Sequence, residues 1–326
     1  MEYAMHGPTP DQISDARAVT EDALVRTPVL ALRSARWDAI LPQAASVTVK
    51  LELFQQAGSF KSRGVYLGIR QLTPDQRAAG VVAASGGNHA LAVSWAAQAA
   101  GVAARIAMPR TVDPLRIDGC RALGAEVSLH DDMPAAFAEM DRVVTDEGRA
   151  ILHPFEGAHM TLGSAVCGAE YLDQAPQIDT LVVPVGGGGL ISGMATAAKR
   201  RNPTIQVIGV EPVGADSMTR SLAAGHPVRL DRIDTIADSL SAPLAMPLSF
   251  AAAQAHVDRM VHVTDDQMRT AMGHYMDVLR ILAEPACAAS LAAICGPLRD
   301  DLAGRHVGII ACGSNISLGR YQQILS

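Results

Sequence analysis

Residues 55–64, "QQAGSFKSRG", place Lys61 directly after Gly58, Ser59 and Phe60 and directly before an apolar helical pattern. A solvated lysine normally stands among other charges on a helix face. An amine flanked instead by small residues and an aromatic ring reads as a reactive group at the start of a helix, where burial lowers its pKa and leaves it free to attack a carbonyl. A second constellation is "VVPVGGGGLISGM", which sets Gly186, Gly187, Gly188 and Gly189 between an apolar strand and a helix. Glycines let backbone N–H groups wrap an anion, and the helix N-terminus adds the positive end of its dipole, so a phosphate is the natural guest; a tight packing turn is the alternative. No Lys-Ser/Thr pair follows the glycines, which disfavours a nucleoside triphosphate with Mg²⁺.

Three weaker constellations accompany these. In "AASGGNHALA" the N–H groups of Ser85, Gly86 and Gly87 suit a carboxylate, and Asn88 offers an amide to an aromatic oxygen; an ordinary helix cap is the alternative. Cys312 ends the apolar strand of "GIIACGSNIS". It is either a small buried hydrophobe or a thiol facing a ring nitrogen, since α/β folds gather ligands at the C-terminal ends of strands. Glu211 ends the strand of "VIGVEPVGADS", and acids and carbonyls at this spacing either hold a hard cation or are solvated loop groups. His226, His256, His262 and His274 lack the spacing of zinc ligands, and no G-x-S-x-G elbow supports a serine hydrolase. His153, in "ILHPFEG", reads as a structural residue where the chain crosses between domains.

These residues need elements to carry them. Strand patterns at "SVTVKLEL", "GVVAAS", "ARIAMP", "AEVSLH", "AILHPF", "DTLVVPV", "IQVIGVEP" and "HVGIIACG" alternate with helical stretches, among them "FKSRGVYLGIRQL", "GNHALAVSWAAQAAG" and "GLISGMATAAKRR". Such alternation predicts right-handed βαβ units and parallel sheets, and at least eight strands are many for one open sheet, so two α/β domains are expected. Thr9 is a predicted helix N-cap, with Pro10 at the first helical position. With 49% apolar and 18% charged residues the chain folds rather than staying disordered. A net charge of −6 without a basic run argues against nucleic acid or an anionic membrane as partner. No secretory pattern opens the chain, no apolar run spans a bilayer, and five dispersed cysteines without CxxC spacing suggest reduced thiols and a cytoplasmic location.

In order along the chain, "GSFKSRG", "SGGNHA", "HPF", "PVGGGGL", "VEP", "TIADS", "AEPACAAS" and "CGSN" resemble the serine/threonine dehydratase and serine racemase family, nearest its threonine/serine ammonia-lyases. The resemblance covers nearly the full length. It implies two three-layer α/β domains with mostly parallel sheets, the fold type II (tryptophan synthase β-like) arrangement of pyridoxal 5'-phosphate enzymes. Residues 1–55 and 155–326 would form the large cofactor-binding domain, and 56–154 the small one. By the same resemblance, Lys61 forms the Schiff base and moves the α-proton, Phe60 packs near the cofactor ring, and Asn88 hydrogen-bonds its 3′-oxygen. Gly186, Gly187, Gly188, Gly189 and the Leu190 amide hold the phosphate, and Cys312 faces the pyridine nitrogen. Ser85, Gly86, Gly87, Asn88 and His89 would hold the substrate carboxylate. The implied reaction removes the β-hydroxyl and amine of L-threonine or L-serine to give a 2-oxo acid and ammonia, in a homodimer.

Departures from the family pattern bear on that expectation. Its racemases carry Ser two positions before the loop Asn; here the position is Gly86, which tilts the reading toward a dehydratase. Cys312 replaces the commoner Ser, and a thiol with a pKa of about 8.5 would not keep the ring nitrogen protonated, so prompt elimination is favoured over a long-lived carbanion. The family's cation site is matched at Glu211 and Ala215 but closes on Ser217, leaving a divalent or monovalent ion there as an open expectation. "MTLGSAVCGAE" lacks the family's Gln-Gly-Thr, consistent with an unusual β-hydroxy amino acid such as 3-hydroxyaspartate or a hydroxylated or aryl serine. The competing readings are a serine racemase, a β-replacement synthase, for which His89 stands where Thr is expected, and a catalytically inactive binding or regulatory protein of the same fold. No regulatory segment follows Ser326, so feedback by an end-product amino acid is not expected.

Overall fold

Ten strands sort into two sheets in the computed structural model, which describes residues 7–326. The first six residues of the expected 1–55 segment lie outside the described residues. The strands are β1 (Val29–Ala31), β2 (Ser46–Lys50), β3 (Val81–Ala84), β4 (Ala104–Pro109), β5 (Glu126–His130), β6 (Ala150–Ile151), β7 (Thr180–Pro184), β8 (Gln206–Pro212), β9 (Arg259–Val263) and β10 (His306–Ile310). The larger sheet runs β1-β2-β10-β7-β8-β9 and the smaller β5-β4-β3-β6. All pairings are parallel except β1 with β2. Every residue of β3 and β7 is buried, as their apolar runs require of strands covered on both faces. The fold is therefore the expected α/β arrangement with two mostly parallel sheets.

Helix boundaries follow local chemistry. Thr9 caps helix Pro10–Thr20 in a reciprocal box with Gln12, and Gly101 ends helix Asn88–Ala100 in the left-handed conformation at φ 65°. Helix Lys61–Arg70 begins at Lys61 and packs against both helix Asn88–Ala100 and helix Ala158–Gln174, so it sits between the smaller sheet's layer and the larger sheet's layer. Its contact with Ala158–Gln174 is backbone against backbone. A Cβ on Gly163 would lie 2.3 Å from the Gly64 nitrogen and 2.5 Å from its Cα.

Three strand expectations need correction. "SVTVKLEL" stops at Lys50, because the Leu51 amide turns to the Pro28 carbonyl (3.0 Å) and Glu52 opens a short turn that buries its carboxylate. "AILHPF" yields a two-residue strand, since the His153 ring accepts from the Phe155 and Glu156 amides and bends the chain. β1 and β9 escape the strand pattern because each is a short edge strand with a single partner.

Gly163→Ala is expected to lower stability by about 1–3 kcal/mol through overpacking of the helix crossing. Urea denaturation checks this, and an unchanged midpoint would show that the two helices separate freely.

Candidate active site

Parallel strands deliver their C-terminal ends to one region. β3 leads into Ser85–Gly87, β7 into Gly186–Gly189, β8 ends near Glu211, and β10 leads into Cys312. The Lys61 helix starts beside them: the Phe60 amide donates to the Cys312 carbonyl at 3.1 Å, and Ser59 bridges to Gly313.

The chain contains three lysines, and their surroundings differ. Lys50 is buried and donates to Glu170, and Lys199 pairs with Asp258 at 2.7 Å. Lys61 has no carboxylate within ion-pair distance among the described residues. Its Nζ donates to the Pro154 carbonyl and lies 4.9 Å from the centre of the Phe60 ring. Burial pushes this amine down to about 8, against the pull of Cys312 and Glu284.

Pro154 is joined to Phe155, and Phe155 forms one wall of the tetraglycine turn. A Cβ on Gly187 would lie 2.3 Å from the Phe155 ring, and one on Gly189 would lie 2.9 Å from its Cα. Gly188 adopts φ 88°, a conformation that suits glycine, and precedes helix Gly189–Arg201, whose N-terminus carries no side-chain cap. Gly189, Leu190 and Ile191 are buried, so the first N–H groups of this helix face the interior without an intrahelical acceptor. Lys61 and the glycine turn therefore meet across one loop, residues 153–157. That loop is held by Glu156, whose carboxylate accepts from the Leu248 and Ser249 amides at 2.8 and 3.2 Å.

The second glycine-containing junction faces the same region. Gly87, rather than Asn88, is the N-cap residue of helix Asn88–Ala100, and it supplies no side-chain cap. Ser85 Oγ accepts from the Gly87 amide at 3.2 Å. A Cβ on Gly86 would strike Val112 Cγ2 at 2.4 Å. The buried Asn88 donates to Glu284 at 2.6 Å, with a longer 3.4 Å contact to Ser239 Oγ, and accepts from Asn315 at 2.6 Å. The His89 Nε2 donates to the Leu152 carbonyl at 2.7 Å, which turns its ring into the interior. Burial, then the Lys61 charge, hold His89 well below the usual imidazole range, and push His153 down to about 4; burial alone does the same to His159. These rings are neutral at physiological pH and do not compete with Lys61 as cations.

Cys312 is buried beside Cys287, and the contact with that thiol, followed by burial, holds its pKa well above the ordinary value. All five cysteines are free. Glu211 is buried too, but its oxygens accept from the Met218 amide (2.8 Å), the Thr219 amide (2.9 Å) and the Thr219 hydroxyl (2.6 Å). Helix Ser217–Ala224 thus takes Glu211 as its cap. Ala215 and Ser217 flank that cap, and no cluster of three His, Cys, Asp or Glu with metal-binding geometry occurs among the described residues. Burial pushes Glu211 up to about 7, the buried Ser217 hydroxyl has no hydrogen-bond partner among the described residues, and the cation expected at Glu211, Ala215 and Ser217 stays an expectation.

A family model described as pyridoxal-phosphate dependent enzyme matches residues 20–313. The chain belongs to the pyridoxal-phosphate dependent enzymes. Within this family it is 45% identical to phenylserine dehydratase from Ralstonia pickettii over 280 residues, 86% of each chain. It is 37% identical to L-threonine ammonia-lyase from Thermotoga maritima over 281 residues, covering 86% of this chain and 70% of that one. Maize serine racemase superposes with a TM-score of 0.90 at 35% identity, covering 96% of this chain and 95% of the other. Among the described residues no helix is long and apolar enough to cross a membrane.

Two buried residues of this pyridoxal-phosphate enzyme were not legible as site residues. Glu284 stands in "AEPACAAS", where an acid before proline reads as a helix-preceding polar group; only the fold carries it to Asn88, and burial then raises its pKa. Arg116 reads as one charge on an amphipathic helix. It is nevertheless buried, donating to the Gly86 and Asn315 carbonyls at 3.2 and 2.8 Å and to Asp238 at 2.6 Å.

The lowered pKa of Lys61 has a direct consequence. A base with pKa near 8 is mostly protonated below that pH and neutral above it. Cofactor-free protein should therefore take up pyridoxal phosphate with a rate that rises with pH and levels off above about 8, followed by visible absorbance. A rate still rising steeply at pH 10 would mean an amine with an ordinary lysine pKa.

Proposed function

We propose that the chain is an ammonia-lyase that removes the β-hydroxyl and the amine of a β-hydroxy amino acid, giving a 2-oxo acid and ammonia. The observation that carries this reading is the single lysine amine without a carboxylate partner, set one loop away from a buried, uncapped, glycine-lined helix N-terminus.

The residues fit pyridoxal phosphate. The N–H groups at Gly186–Leu190 suit its anionic tail, because orphan donors at a helix start favour a phosphate. Phe60 would pack near its ring and Lys61 would bond its aldehyde carbon, and Asn88 has one N–H engaged only by the long Ser239 contact that could meet the ring oxygen. The neutral thiol of Cys312 suits an unprotonated ring nitrogen. When bound, the cofactor supplies the conjugated system that stabilises negative charge at the substrate Cα.

The protein's own groups do the rest. The N–H groups of the uncapped helix start at Ser85–His89 bind the substrate carboxylate, and they fix the Cα–H bond toward Lys61. Lys61 Nζ, neutral in a substantial fraction near its lowered pKa, takes the Cα proton as general base. The β-hydroxyl then leaves with one proton as water, and the resulting enamine tautomerises and takes up one water to give the 2-oxo acid and ammonia. Gly86 brings no hydroxyl where the family's racemases carry Ser, and Val112 fills the space a side chain there would need. This favours elimination over racemisation.

For the substrate side chain, the 45% identity with phenylserine dehydratase over 86% of both chains favours a β-aryl serine. L-threonine or L-serine is the second reading, supported by the 37% identity with the threonine ammonia-lyase.

The test is a panel of phenylserine, threonine, serine and 3-hydroxyaspartate with detection of the 2-oxo acid. The expected outcome is 2-oxo acid formation with the highest kcat/KM for phenylserine and no D-serine from L-serine. Threonine leading the panel would favour the second reading, and D-serine without 2-oxo acid would overturn the lyase reading. Lys61→Ala should abolish turnover and the visible band near about 415 nm while leaving the fold intact by circular dichroism; wild-type turnover in this variant would contradict the role of Lys61.

A further inference from the structure

We propose that Arg63 is a positioning residue for Lys61: with Glu52 and Glu170 it locks the rotation of the helix on which the amine stands. The inference rests on Lys61 being the cofactor-bearing amine.

Arg63 follows Lys61 by two residues and so leaves the helix from the opposite side. Its guanidinium is buried. Nε and Nη2 donate to the two oxygens of Glu52, both at 2.7 Å, and Nη1 and Nη2 donate to the two oxygens of Glu170 at 3.2 and 3.1 Å. Lys50 completes the cluster, donating to Glu170, to the Thr27 carbonyl at 2.8 Å and to Gln174 at 2.7 Å. Two cations and two carboxylates therefore neutralise one another in the interior. Glu52 belongs to the turn after β2, and Glu170 and Gln174 to helix Ala158–Gln174.

Buried ion clusters are poor sources of stability, because desolvation offsets most of the attraction. What a forked guanidinium on two carboxylates does supply is direction. Here that direction acts on a helix whose other fixed point is the Gly64–Gly163 crossing. At that crossing neither Gly64 nor Gly163 has a side chain to index the helix rotation, and Gly64 meets only the flexible end of Met160 and backbone. The Arg63 arm supplies that index, and Lys61 Nζ is left on the Pro154 carbonyl beside Phe60.

The test uses purified enzyme loaded with pyridoxal phosphate. Arg63→Lys keeps the charge and loses the fork; Glu170→Gln keeps the shape and loses one charge; Ile69→Val trims a buried residue of the same helix outside the cluster. Arg63→Lys should lower kcat by about tenfold with KM within about twofold, and should displace the pH midpoint of the visible band. Glu170→Gln should move both in the same direction. Ile69→Val should lower Tm and leave the midpoint alone. If Arg63→Lys and Glu170→Gln lower Tm yet retain the wild-type kcat and pH midpoint, the cluster is structural only and the proposal fails. If Arg63→Lys does not fold, Glu170→Gln decides by the same two readings. The Lys61→Ala spectrum judges the underlying reading independently, because loss of its visible band does not involve Arg63.

Discussion

The Lys61 amine is kept close to a carbonyl and an aromatic ring and out of reach of any carboxylate among the described residues. The chain's other two lysines are held in ion pairs, Lys50 with Glu170 and Lys199 with Asp258, and among the described residues Lys61 is not. Burial without a paired carboxylate to offset it is what lowers the amine's pKa toward neutral pH. The surrounding structure maintains that condition. The nearby histidines are buried and neutral, Cys312 is held as a thiol, and the Glu284 carboxyl is directed to Asn88 and Arg116 rather than to Lys61.

Topology accounts for how so many distant residues converge. Parallel strands point their C-terminal ends the same way, so the loops after β3, β7, β8 and β10 reach one region although they span more than half of the chain. Two of those loops open uncapped helices, one after Gly87 and one after Gly188. Each presents donors without a partner, and two anionic groups belong to a phosphorylated cofactor with an amino-acid substrate. The loop carrying Pro154 and Phe155 couples the amine to the glycine turn, where Phe155 leaves no room for a side chain at Gly187 or Gly189.

Much of this was legible in the sequence. Lys61 at a helix start, the tetraglycine junction, the Ser85–His89 junction and Cys312 at a strand end are local patterns, and local patterns survive without knowledge of the fold. The alternation of strands and helices revealed the parallel sheets for the same reason. What stayed hidden depends on distant packing. Glu211 reads as a cation ligand or a solvated loop acid, and only the fold shows it buried and capping helix Ser217–Ala224. Only the fold brings Glu284 to Asn88 and closes Glu170 and Gln174 over Lys50. β1 and β9 were hidden because a short edge strand earns its hydrogen bonds from a neighbour rather than from its own periodicity.

The most direct measurement of the central claim is borohydride reduction of the cofactor-loaded protein followed by peptide mass mapping. With three lysines in the chain the outcome is unambiguous. A pyridoxyl group found on the Lys61 peptide alone is the predicted result. The same group on Lys50 or Lys199, or on no lysine at all, would contradict it.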